Sequence, residues 1–282
     1  MTISEQQKIY SERLSTIYSP GETKSIIRLV FEKVLQANAL HLSLDRFRIL
    51  TTDQTDKLNK ILQRLLTHEP VQYVLGEADF CGLKFKVNNE VLIPRPETEE
   101  LVQWITGLQI ADRGLRILDV CSGSGCIAIS LAKRFPNAII EGCDISDGAL
   151  EVARENNSLN QTNVNFFKLD ILKEQLPENT YDLMVSNPPC ITQGERNTIE
   201  ANVLEYGPHL ALFAPAGNDL IFYSEIGSKA IRALKGGGQL FFEINEFKGA
   251  EVIDLLRRTG FKEVTLRKDI NQTDRMVQAL KP

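Results

Sequence analysis

From residue 115 onward the sequence alternates short apolar runs with amphipathic stretches, and this alternation restricts the fold more than any other feature. LRILDV (115–120), AIIEGC (138–143), VNFFKL (164–169), YDLMVS (181–186) and QLFFEI (239–244) are apolar runs of strand length, the pattern of parallel strands buried on both faces. Helical stretches near 125–135, 147–158, 219–235 and 248–259 separate most of them. This predicts a doubly wound α/β domain, whose ligands bind beyond the carboxyl ends of the strands.

The first 68 residues follow another period. Ile26, Ile27, Val30, Phe31, Val34 and Leu35 recur at helical spacing within 22–41, after a Pro20-Gly21 break. Leu58, Ile61, Leu62, Leu65 and Leu66 form a stripe over 53–66, and Tyr10, Leu14 and Ile17 form an earlier one. Short amphipathic helices bury such stripes only against one another, so residues 1–75 read as a small helical domain. Residues 76–110 read as a linker. Phe80, Leu83, Phe85, Val87, Val91 and Ile93 with Gly82 and Asn88-Asn89 suit a β-hairpin, and Pro94-Arg95-Pro96 stops the strand before an acidic helix start. Residues 111–282 hold the α/β domain.

Composition excludes several classes. Apolar residues at 43% and charged residues at 24% mark a globular chain. No run of eighteen apolar residues occurs, and the first twenty residues lack the apolar segment of a secretory signal. Five cysteines without paired spacing suit a reduced, cytoplasmic chain and no metal site. The net charge is −5; residues 1–75 carry ten Lys and Arg against eight Asp and Glu, so the remainder carries −7. Neither part has the basic footprint of a duplex-binding protein.

Two loops carry the chemistry. Asp119-Val120-Cys121-Ser122-Gly123-Ser124-Gly125 follows the first strand, and its glycines let backbone approach a ligand. Asp144 ends the next strand, where a carboxylate can accept both hydroxyls of a ribose. Gly123-x-Gly125-x-x-Ala128 also satisfies the dinucleotide fingerprint, so the loop alone leaves a nicotinamide cofactor, S-adenosylmethionine and packing glycines open. Asp119 favours S-adenosylmethionine, because a carboxylate near the loop can orient a cationic amino acid moiety and offers nothing to a pyrophosphate. Asn187-Pro188-Pro189-Cys190, ending the fourth strand, favours it further. The prolines fix φ and lack N–H groups, so the Asn187 oxygen and adjacent carbonyls can grip both hydrogens of a planar –NH2 group. No histidine stands in either motif.

Taken together, these residues resemble the release factor glutamine methyltransferases. The most specific stretches are Glu69-Pro70-Val71-Gln72-Tyr73-Val74-Leu75-Gly76, Phe80-x-Gly82 and Val91-Leu92-Ile93-Pro94-Arg95-Pro96-Glu97-Thr98-Glu99. The resemblance implies a mostly parallel seven-stranded sheet and S-adenosylmethionine as cofactor. It implies methylation of the Gly-Gly-Gln glutamine of peptide chain release factors, which are then the protein partner. By the same resemblance, Cys121 to Gly125 and Asp144 bind the donor and Asp170-Ile171 flank its adenine. Asn187 through Cys190 are catalytic and grip the glutamine, Asn187 also facing the donor. Pro94, Arg95 and Glu97 add substrate contacts, and the helical domain docks the release factor. No membrane or direct nucleic-acid partner is expected, and the chain is expected to be a monomer. Departures are Cys121 for Gly, Cys190 for Tyr, Gly207 for Glu, and Asn245 and Lys248 for Gly and Gln. Methylation of an exocyclic base amine, and a catalytically weakened donor-binding protein, are the alternatives.

Overall fold

The computed structural model describes residues 1–110, 114–192, 194–195, 205–213, 215 and 217–282. The chain divides into two compact units, the first built on Met1–Gly76. Its helices are α1 (Ile3–Leu14), α2 (Pro20–Leu35), α3 (Ala39–Leu44), α4 (Thr52–Leu65) and α5 (Val71–Leu75). Thr2, Ser19, Asn38 and Thr51 cap the first four by accepting a backbone N–H three residues on, which answers donors that a helix start leaves unpartnered. Pro20 is the first residue of α2, where its missing N–H costs nothing. The stripe expected over 22–41 stops at Leu35, because Gln36 turns left-handed at φ 50° and Asn38 caps a separate helix. Tyr10, Leu14, Val30, Phe31, Leu58 and Leu65 are among the buried side chains that close this unit's core.

The second unit opens with a hairpin, β1 (Glu77–Phe80) and β2 (Leu83–Lys86), paired antiparallel. Phe80 and Phe85 meet edge to face at 5.9 Å and belong to the unit's core. Helix α6 (Pro96–Thr106) follows, with Glu97 and Glu99 in its first turn, where the helix dipole favours carboxylates. Then come β3 (Arg116–Val120), α7 (Cys126–Arg134), β4 (Ile139–Asp144), α8 (Asp147–Leu159), β5 (Asn165–Lys168) and β6 (Tyr181–Ser186). After these lie α9 (His209–Leu212), α10 (Ile221–Ala233), β7 (Leu234–Glu243), α11 (Gly249–Thr259), β8 (Lys262–Lys268) and β9 (Asp274–Leu280).

The seven strands run in the order β5-β4-β3-β6-β7-β9-β8, parallel except for β9, which is antiparallel to both neighbours. The doubly wound, mostly parallel sheet expected from the sequence is therefore present. Strands β8 and β9 escape the apolar-run pattern: β8 is an edge strand without a buried residue, so no continuous apolar run was required of it. From β3 the chain winds outward through β4 and β5, then crosses to lay β6 on the other side. Val120 pairs with Ser186 in the β3–β6 ladder, so the loops leaving these strands emerge side by side at the reversal point. Ser186 Oγ donates to the Val120 carbonyl at 2.6 Å and pins that junction.

Two close contacts hold the loop after β3. The buried Asn156 of α8 donates to the carbonyls of Ser124 and Lys86, both at 3.0 Å, and accepts from Lys86 N at 2.6 Å. One side chain thus joins the glycine loop to the hairpin. Gly142 of β4 lies beneath the loop: a Cβ there would meet Phe166 Cε1 at 2.5 Å and Ser122 Oγ at 2.7 Å. Among the described residues no helix is long and apolar enough to cross a membrane.

Gly142→Ala is expected to destabilise the protein by about 1–3 kcal/mol, the usual cost of overpacking a filled interior. A lower urea midpoint with an unchanged m-value checks this.

Candidate active site

A cavity of about 550 Å³ opens at the carboxyl ends of β3 and β6, within the size range of small-molecule sites. The loop after β3 forms one wall. Cys121 sits at φ 63°, in the left-handed region that glycine adopts freely, so the chain accepts here the backbone conformation that a side chain makes costly. Gly123, at φ 52°, lines the cavity with nothing within 4 Å of where a Cβ would stand. Gly125 does different work. It caps α7 at φ 77°, and a Cβ there would stand 2.8 Å from Phe166 Cζ, so it is a packing glycine and is not among the lining residues.

Asp144 ends β4 at the cavity. Its Oδ2 accepts from Gly123 N at 2.9 Å and its Oδ1 from Ser146 N at 3.0 Å. Each oxygen retains a further lone pair. Burial raises its pKa, while these backbone donors oppose the shift. Asp170 and Ile171 form part of the wall beyond β5. Lys173, 2.9 Å away, holds Asp170 below the usual carboxylate range. Leu169, Leu172, Phe213 and Phe222 add an apolar lining that suits a flat ring.

Asp119 stands behind the loop and is not among the lining residues. It is fully buried, its Oδ2 accepts from Ala128 N in the first turn of α7 at 3.2 Å, and its Oδ1 has no hydrogen-bond partner. Burial pushes its pKa up to about 8, against the pull of the Ala128 hydrogen bond.

On the other wall, Asn187 and Pro189 line the cavity together with Pro94, Arg95 and Thr98, whereas Pro188, Cys190 and Glu97 do not. Asn187 Nδ2 donates to Thr98 Oγ1 at 3.3 Å, and Thr98 Oγ1 donates to Glu243 Oε2 at 2.7 Å. Burial pushes the Glu243 pKa up to about 7, opposed by the Thr98 bond, the Arg275 charge and a bond from Asn187, and aided by Glu97. The Cys190 carbonyl accepts from Asn245 Nδ2 at 3.1 Å, and Asn245 Nδ2 also reaches Glu195 at 2.9 Å. Tyr223 OH accepts from Asn245 N at 3.0 Å, and Cys190 interacts with the same phenol. Burial pushes the Cys190 thiol up to about 12 and raises Cys121 well above its ordinary value, so both are neutral thiols near pH 7. Lys248 is tied to Asp219 and Glu251 at 3.4 and 3.2 Å.

Thr98, Glu243 and Asn245 are the functional candidates that motif reasoning passed over. Thr98 lies inside the Pro-Arg-Pro-Glu-Thr-Glu stretch, and Glu243 ends a buried strand at the same sheet edge as Asp144. An acid placed there was the available signal.

Residues 101–210 match the family described as Methyltransferase small domain, and residues 7–76 match the PrmC N-terminal domain. The chain is 42% identical over 281 residues to the release factor glutamine methyltransferase of Flavobacterium psychrophilum, covering 99% of each chain. The chain belongs to the release factor glutamine methyltransferase family. The Bacteroides thetaiotaomicron enzyme of the same name is 40% identical, over 95% of this chain and 96% of its own. A crystal structure of a methyltransferase from Pyrococcus furiosus shares the fold, with a TM-score of 0.52 at 16% identity, covering 82% of this chain and 99% of that one.

The methyl donor is S-adenosylmethionine, and the cavity fits it. The space over Gly123 admits a ligand where a Cβ would stand, and Asp144 keeps lone pairs for a diol. The apolar wall suits adenine.

A buried carboxyl whose pKa is raised from 3.8 to about 8 binds more protons folded than unfolded, so its contribution to stability falls as pH rises through that window. Asp119→Asn removes this slope. In thermal melts of the ligand-free protein, the variant should gain on the wild type steadily from about pH 5 to about pH 8.

Proposed function

We propose that this enzyme transfers the methyl of S-adenosylmethionine to the side-chain amide nitrogen of the glutamine in the Gly-Gly-Gln motif of peptide chain release factors. The observation that carries the reading is the orientation of Asn187. Its NH2 end is committed to Thr98, which leaves its oxygen as the acceptor at a cavity shared with the glycine loop.

When bound, the donor supplies an electrophilic methyl. The chain's own residues then deal with a poor nucleophile, because the lone pair of an amide nitrogen is delocalised into its carbonyl. The Asn187 oxygen and the carbonyl of Pro189, which also lines the cavity, accept the two N–H groups and hold the nitrogen toward the methyl, which supplies orientation. As the nitrogen gains positive charge, the same acceptors bind its hydrogens more strongly than in the ground state. The proton leaves afterwards to water, so no side chain need act as a strong base.

In this reading Cys121 to Ser124, Asp144 and Asp170-Ile171 hold the donor, with Gly125 and Asp119 packed behind the loop. Pro94, Arg95 and Glu97 belong to the substrate side, and Cys190 supports the Asn-Pro-Pro ledge through its carbonyl and its neighbour Tyr223. The helical residues 1–75, with their slight positive balance, dock the release factor. The enzyme acts as a monomer in the cytoplasm, where its substrates work, and makes no direct contact with nucleic acid. A base amine as substrate would call for an aromatic clamp beside Asn187, and position 190 offers a thiol turned toward Tyr223.

Incubation with labelled donor and the organism's release factors, followed by peptide mapping, tests the proposal. Label on the Gly-Gly-Gln glutamine is expected; label confined to nucleic acid, or donor binding without transfer, overturns it. Asn187→Ala should lower kcat at least ~tenfold while changing donor affinity much less, because its oxygen acts mainly in the transition state. Steady-state kinetics alongside calorimetric donor titration checks the split.

A further inference from the structure

We infer that Thr98 and Glu243 are positioning residues that select which end of the Asn187 amide faces the donor cavity, an inference that rests on the role given to Asn187 above. The two ends of a carboxamide have nearly the same shape and opposite hydrogen-bonding character. Packing alone does not distinguish them; a hydrogen-bond chain of fixed polarity does.

That chain runs from Asn187 Nδ2 to Thr98 Oγ1 at 3.3 Å and on to Glu243 Oε2 at 2.7 Å, and the Asn187 amide also donates to the Glu243 carboxylate directly. Thr98 has one hydroxyl proton. While Glu243 is a carboxylate it can only accept, so the Thr98 proton points to Oε2 and the Thr98 oxygen accepts from Asn187. The Asn187 oxygen is then the end presented to substrate. When Glu243 carries a proton, the chain can run the other way: the acid donates to Thr98, and Thr98 donates to Asn187. That polarity favours the flipped amide, which sets an NH2 against the NH2 of the substrate, donor against donor. Thr98 is 3% exposed and Glu243 9%, so bulk water does not stand in for either partner.

The surroundings keep both forms of Glu243 within reach of neutral pH. Arg275 of β9 is the cation that favours the carboxylate, and it is shared with Asp269 at 3.1 Å and Glu246 at 4.0 Å. Glu97 of α6 opposes the charge. Cys190 beyond β6, Cys126 of α7 and Tyr223 of α10 also face this carboxylate, and burial keeps all three neutral. The Glu243 pKa of about 7 follows from burial among these groups. Deprotonation therefore sets the amide in its working orientation, and turnover rises with pH.

The test joins a structural and a kinetic readout on the full chain. The side-chain amide resonances of Asn187 are followed by NMR without substrate from about pH 6 to about pH 9, in the wild type and in Glu243→Gln. They are expected to titrate with a midpoint near 7 in the wild type and to stay fixed in the variant. In kinetics on release factor, Thr98→Val should lower kcat ~tenfold or more with donor KM changed less than ~twofold, and Thr98→Ser should restore most of the loss. The wild-type kcat should rise through the same midpoint, and Glu243→Gln should lack that inflection. Asn187 resonances that do not move in the wild type, or a folded Thr98→Val with wild-type kcat, overturn the inference. A wild-type protein that leaves release factors unmethylated overturns the function proposed above instead, and the NMR titration still decides the role of Thr98 and Glu243.

Discussion

The pairing of β3 with β6 is the constraint from which the site follows. Parallel strands adjacent at a reversal of winding direction leave a crevice beyond their carboxyl ends. Here the register sets Val120 opposite Ser186, and the Ser186 hydroxyl closes on the Val120 carbonyl. Two loops more than sixty residues apart are thereby delivered to one cavity without loop length or flexibility deciding the distance. A slip of one residue in this ladder would turn each buried side chain of one strand to the opposite face. The apolar cores on both sides of the sheet hold the register against that slip.

Within that frame the two walls solve different problems. The glycine-loop wall makes room: Cys121 and Gly123 take left-handed backbone, Gly123 with open space where a Cβ would stand, and Asp144 gathers the loop by accepting from Gly123. The Asn-Pro-Pro wall removes freedom. Prolines fix the backbone, Asn245 grips the Cys190 carbonyl, and Thr98 holds the Asn187 amide. Binding needs space for a sizeable donor, whereas transfer to an amide nitrogen needs acceptors that do not move as charge develops.

Much of this organisation was legible in the sequence, for a physical reason. Continuous apolar runs have few options other than buried parallel strands, so β3 to β7 could be placed from composition and period. The edge strand β8, polar on most of its length, sends no such signal. At the site, Asp144 and Asn187 were recognisable because each ends a strand on the ligand side. The fate of Asp119 was not, since one residue of strand alternation decides whether a carboxylate meets the cavity or the buried start of α7. Thr98 and Glu243 lie 145 positions apart, and only the packing of α6 against β7 joins them. Cys121 illustrates the converse: its strain was foreseeable from the residue type, and the loop tolerates it because neighbouring contacts fix its course.

Asn156 carries a consequence of its own. Because this one buried amide bonds both Ser124 and Lys86, the hairpin is coupled to the glycine loop through α8 rather than through the intervening chain. A displacement of β2 is transmitted to the backbone of the glycine loop. The course of the glycine loop is thus tied to the seating of a hairpin that itself lies outside the cavity.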